Sequence, residues 1–65
     1  MTNVGQRLKK RRREVEWSQR ETAERAGISP WRYFRIEKGM SPVRPEEFER
    51  LATVLGLGDD VRATA

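Results

Sequence analysis

Arginine dominates the chemistry available to this chain: eleven Arg and three Lys stand against ten Asp plus Glu, giving a net charge of +4. A guanidinium is planar, permanently charged and able to form two parallel hydrogen bonds, which suits contact with phosphate and with the guanine edge. A solvated basic surface accounts for part of the same count. The chain has no Cys and no His, so thiolate nucleophiles, disulfides, the usual zinc ligand sets and imidazole acid/base catalysis are excluded by inventory. The sequence holds no carboxylates at metal-ligand spacing, no Gly-rich phosphate loop and no nucleophile beside a base, and Ser18 and Ser29 are better read as helix caps. The expectation is a non-enzyme without cofactor or metal.

Sixty-five residues allow one small domain, spanning 1–65. At this size folding buries roughly 60% of the surface that the unfolded chain exposes, and stability amounts to a few kcal/mol. No large catalytic cleft fits. Apolar residues make up 35% of the chain and never run beyond three together, which excludes a membrane span and a signal-peptide core from this sequence. The expected setting is cytoplasmic.

The elements that must position the arginines read as helices, because alternating runs of β-branched residues are missing. A first helix starts near Asn3, a plausible N-cap, and carries Val4, Leu8, Arg12 and Val15 on one face. Arg12 is the odd member of that stripe. Six of the seven residues from Arg7 to Arg13 are basic, and on a helix most of them must fan out into solvent. A second helix opens with Ser18 and Glu21 in capping-box spacing, behind Trp17 at the staple position, and ends at Gly27. Ser29 and Pro30 open a third helix as N-cap and first residue, and Gly39 closes it. After a loop from Met40 to Arg44, Pro45 begins a fourth, with Phe48, Leu51, Ala52 and Leu55 on its apolar face and Gly56 at its end. Residues 59–65 form at most a short or frayed fifth helix, led by Asp59, Asp60 and Val61.

The segment Gln19–Glu37 is more specific than four or five short helices in general. Two helices of about eight residues joined by a Gly turn describe a helix-turn-helix, here residues 18–38. Ala23 sits where two steeply crossing helices leave room for a methyl group, and Gly27 where the turn needs positive φ. Ala26, Ile28, Tyr33 and Ile36 supply the apolar positions that hold the pair together. The stretch W-S-Q-R-E-T-A-E-R-A-G-I-S-P-W-R-Y-F-R-I-E-K-G, residues 17–39, resembles the lambda-repressor-like family of phage Cro and repressor proteins, also called the Xre family. The similarity runs from about Val4 to Leu57. It implies an all-α, compact four- or five-helix domain whose helices 2 and 3 form the helix-turn-helix.

The resemblance also assigns roles. It implies an ion pair between Arg12 and Glu37, which accounts for an arginine on an apolar stripe, since a mostly buried charge is tolerated when paired. At 100° per residue Tyr33, Ile36 and Glu37 share one face of the third helix, while Trp31 and Arg35 project from the opposite one and Lys38 lies between. The second helix of such a unit enters the major groove with its N-terminal residues at base edges. Pro30, Trp31 and Arg35 are therefore implied as base contacts, with Ser29 and Arg32 at the margin. Gln19, Lys38 and Arg44 are implied as phosphate contacts. Arg35 can pair bidentately with guanine, and Trp31 either packs on a thymine methyl or makes a protein contact.

Three positions depart from the family pattern: Thr22 replaces the usual Leu, Arg11 stands where an apolar residue is frequent, and Phe34 where a small polar one is. Phe34 is open to two readings, a filler for the core beside Thr22 or a surface anchor. The implied function is a sequence-specific double-stranded DNA-binding transcriptional regulator, a repressor before an activator. It would bind a pseudo-palindromic operator as a homodimer formed chiefly on DNA, the dimer contact lying near Leu55 to Val61. The alternative is a protein-interaction or antitoxin-like module on the same fold, its contact made by Trp31 and Phe34.

Overall fold

The computed structural model describes residues 3–57. Among them four helices follow in order: α1 (Val4–Glu14), α2 (Gln19–Ala26), α3 (Pro30–Glu37) and α4 (Pro45–Leu55). The expected fifth helix from Asp59 lies outside the described residues. Each helix start satisfies part of its orphan N–H groups by a local device. Asn3 and Gln6 close a full capping box, the Asn3 side chain accepting from Gln6 N–H at 2.8 Å and the Gln6 side chain accepting from Asn3 N–H. At α2 only half of the expected box forms. Ser18 Oγ accepts from Glu21 N–H at 3.0 Å, but the Glu21 carboxylate accepts from Arg25 one turn along the helix instead of returning to Ser18. Ser29 Oγ accepts from Arg32 N–H at 3.1 Å, with Pro30 at the first helical position.

The helix ends are less uniform. Gly27 leaves α2 with φ 70°, the left-handed conformation that only glycine adopts without cost. At the end of α1 a glutamate does the same: Glu16 has φ 60°. There Trp17 N–H donates to Arg12 O and Glu16 N–H to Arg13 O, both at 3.1 Å, the paired closure of a Schellman motif built without its usual glycine.

The core gathers Leu8 from α1, Ala23 and Ala26 from α2, Tyr33 and Ile36 from α3, and Leu51, Ala52 and Leu55 from α4, sealed by Ile28 and Leu57. Each fully buried leucine contributes about 1.5–3 kcal/mol. Helix α2 packs on α3 and α4, and α1 closes the bundle against the same two helices. The α1–α3 approach is close at Gly5, where a Cβ would lie 2.6 Å from the carbonyl oxygens of both Ile36 and Glu37. Thr22 is fully buried and its hydroxyl donates to Ser18 O at 2.9 Å, so the polar atom introduced there is satisfied within its own helix. Arg11 uses its departure from the pattern to join two helices. Its Nε donates to Leu55 O at 2.6 Å, a carbonyl in the last turn of α4 that has no partner inside the helix.

Candidate nucleic-acid interface

Helix α3 is held by its inner face. Tyr33, Ile36 and Glu37 are all buried, as their shared position on the helix requires. Glu37 is the hub. Its Oε2 accepts from Arg12 Nε at 2.9 Å and its Oε1 from Arg12 Nη2 at 2.8 Å, a two-point guanidinium–carboxylate contact. Oε1 also accepts from Gln19 Nε2 at 3.0 Å, and Arg12 Nη1 donates to Trp17 O at 2.8 Å. One cluster thus ties α1, the α1–α2 turn, the first residue of α2 and the last of α3. Burial pushes the Glu37 carboxyl up, but its hydrogen bonds, led by those from Arg12, outweigh this and hold it below the ordinary range. Arg12 is shifted up by the same hydrogen bond. Burial and the neighbouring carboxylate raise the Tyr33 phenol in turn, its hydroxyl enclosed without a hydrogen bond of standard geometry.

A second pair holds the other end of α3. Arg32 donates from Nε to Glu47 Oε2 at 3.0 Å and from Nη2 to Glu47 Oε1 at 2.8 Å, with a further bond from Nη2 to Pro42 O at 2.9 Å. Glu47 also accepts from the backbone N–H of Arg44 at 2.9 Å, capping the start of α4. The hydrogen bonds from Arg32 hold the Glu47 carboxyl down at about 2. This commits Arg32, expected at the margin of the base contacts, to fixing α3 on α4, and its guanidinium fork is taken up within the chain.

The outer face of α3 carries Trp31, Phe34, Arg35 and Lys38, spaced i, i+3, i+4, i+7. Trp31 is 64% exposed. Its ring stacks on Phe34 with centroids 5.4 Å apart and planes 16° from parallel, and Lys38 Nζ lies 5.6 Å from the Phe34 ring centre. The ion pairs of the described residues engage Arg11, Arg12, Arg20, Arg25 and Arg32, leaving the partly exposed Arg35 guanidinium unpaired. Helix α3 is thus held from behind at both ends, with cationic and aromatic groups in front and a glycine turn before α3 and its N-cap. A family model for the helix-turn-helix domain matches residues 3–65.

The chain belongs to the helix-turn-helix domain family. Comparison with curated proteins and with solved structures returns no match. The match agrees with the lambda-repressor-like resemblance, and it makes this an all-α, DNA-binding helix-turn-helix domain. Helices α2 and α3, eight residues each, are joined across the turn at Gly27. No helix of the described residues is long and apolar enough to cross a membrane, and no group of three or more His, Cys, Asp or Glu among them is placed to hold a metal ion.

The structure sorts the expected contact residues. Ser29, Pro30 and Trp31 are exposed at the start of α3, with Arg35 one turn on, while Lys38 and Arg44 are exposed beyond its end. Gln19, expected at phosphate, turns one N–H of its amide inward to Glu37. Leu55 and Leu57, expected near a dimer contact, are buried in the chain's own core, and Val61 lies outside the described residues. One contributor escapes sequence reasoning. Glu47 has the local appearance of a residue favouring the helix dipole, with nothing to point to Arg32 fifteen positions earlier. Phe34 completes an outer stripe that its spacing already marks.

Proposed function

We propose that this helix-turn-helix domain is a sequence-specific double-stranded DNA-binding transcriptional repressor, reading an operator half-site in the major groove with α3. The observation that supports this reading is the division of α3 into two faces. Tyr33, Ile36 and Glu37 are buried behind, and Trp31 and Arg35 stand free in front. Pro30, Trp31 and Arg35 meet base edges, and Ser29 lies beside them. Lys38 and Arg44 meet phosphate, and Gln19 does so through the side-chain N–H that Glu37 leaves free. The domain binds a pseudo-palindrome as a homodimer assembled on DNA, with half-sites about 34–36 Å apart, and acts in the cytoplasm by occluding a promoter. The two-fold contact lies near residues 55–61, where Leu55 and Leu57 themselves are buried.

Selection from random duplex DNA at near-physiological salt, followed by salt titration on the recovered site, tests the proposal. The expected result is a two-fold symmetric motif whose affinity falls steeply with salt. Arg35→Ala should lose about 1–3 kcal/mol of discrimination at one G·C pair while its melting temperature stays at the wild-type value. A folded protein that enriches no sequence would overturn the proposal and favour the protein-interaction reading.

A further inference from the structure

The outer stripe of α3 has two chemically different halves. Arg35 and Lys38 are cationic, and Trp31 and Phe34 form one stacked apolar surface. A tryptophan 64% exposed beside a second ring is unfavourable in water unless an apolar group covers it in use. Phe34 already backs one side of the indole, and stacking restrains the torsions that would otherwise let it swing. The open side faces outward on the same helix face as an unpaired guanidinium.

The major groove offers little to an apolar blade. Base edges there are hydrogen-bond donors and acceptors, except for the C5-methyl group of thymine. The neighbouring charges, Arg35, Lys38 and Arg44 within a chain of net charge +4, favour a polyanion over an apolar protein surface. We propose that the Trp31–Phe34 pair reads thymine by its methyl group: the indole packs on the C5-methyl, and Phe34 is the positioning residue that holds the indole in place. The inference rests on the DNA-reading function proposed above and adds the base chemistry recognised at its apolar half. Trp31 and Arg35 are four residues apart, about 6 Å along the helix, and successive base pairs are about 3.4 Å apart. The thymine therefore lies within about two base pairs of the guanine read by Arg35.

The test uses the duplex recovered by selection, with each dT replaced in turn by deoxyuridine, which removes the methyl group and leaves the pairing edge and O4 intact. Wild-type protein should bind about fourfold more weakly at one or two of these positions, the value of one buried methyl. Trp31→Ala, at a mostly exposed position that leaves the core untouched, should bind the dT and dU duplexes equally. Phe34→Leu, which keeps apolar bulk but removes the stack, should retain the melting temperature and discriminate less than wild type. Specific binding by wild type that is indifferent to uracil everywhere, or a Trp31→Ala protein that still discriminates as wild type does, overturns the methyl reading and leaves the repressor reading intact. Absence of specific binding to any duplex by folded wild-type protein overturns both.

Discussion

Two arginine–glutamate pairs fasten α3, one at each end, and they differ in what surrounds them. Arg12–Glu37 joins α1 to the end of α3 with side chains 13% and 2% exposed. Arg32–Glu47 joins the start of α3 to α4 with 28% and 13% exposed. Both are two-point contacts, but the first also recruits Gln19 and the Trp17 carbonyl, the second the Pro42 carbonyl and the Arg44 N–H. The difference teaches that one geometry can carry unequal consequences. A carboxylate almost wholly removed from water has nowhere to turn when its partner is lost, whereas one nearer the surface can be rehydrated.

The largest effect expected from breaking this comparison is at the inner pair. Arg12→Ala orphans a buried Glu37 and should cost about 3–5 kcal/mol, enough to abolish cooperative unfolding in a domain stable by only a few kcal/mol. The double variant Arg12→Met with Glu37→Leu should recover part of that loss, because it removes the charge along with its partner. Thermal unfolding followed by circular dichroism decides this. Equal destabilisation of the single and double variants would show that the cost comes from lost packing and not from an orphaned charge.

The outer pair should show itself in pH dependence. The Glu47 carboxyl is held at about 2 against an ordinary 4.5, so its contribution is fully present above the unfolded value and is lost as pH falls through the folded one. Glu37 is lowered as well and acts in the same direction. The wild-type melting temperature should therefore fall progressively below about pH 4.5. Glu47→Gln should be less stable than wild type at neutral pH, by less than Arg12→Ala, and should lose less on acidification. An acid limb as steep in Glu47→Gln as in wild type would contradict the assignment.

The same two pairs show how far residue patterns reach. A lone arginine at position 12 on an apolar stripe is itself a signal, because a helix does not place a charge toward its core without a partner. Nothing comparable marks Arg32 or Glu47: each has a sufficient local reading, and the loop from Met40 to Arg44 that brings them together has no periodicity from which its path could be deduced. Caps and helix boundaries at Ser18, Ser29, Gly27 and Pro45 are local, so they are readable from spacing; the return bond from Glu21 is not, because Arg25 competes for the same carboxylate. The i, i+3, i+4, i+7 stripe of Trp31, Phe34, Arg35 and Lys38 is equally visible, whereas ring-on-ring contact depends on rotamers. Gly5 carries its reason in tertiary structure alone, in the two α3 carbonyls that a Cβ would strike.

The smallest effect sharpens the inner side of the comparison. Glu16 adopts φ 60° in the turn that presents the Trp17 carbonyl to Arg12, and a residue with a Cβ pays about 1–2 kcal/mol for that conformation. Glycine removes this strain but loses more chain entropy on folding, so Glu16→Gly should gain about 0.5–1 kcal/mol net. The gain should add to the loss from Glu47→Gln, since the two sites share no partner, and urea unfolding of the single and double variants measures both quantities. A destabilised Glu16→Gly protein would mean that the Glu16 side chain supports the turn more than its backbone strains it. Additive gain would mean that the inner cluster keeps its Arg12–Trp17 bond against local strain, because the carbonyl is positioned by the helix end and not by the residue that happens to occupy it.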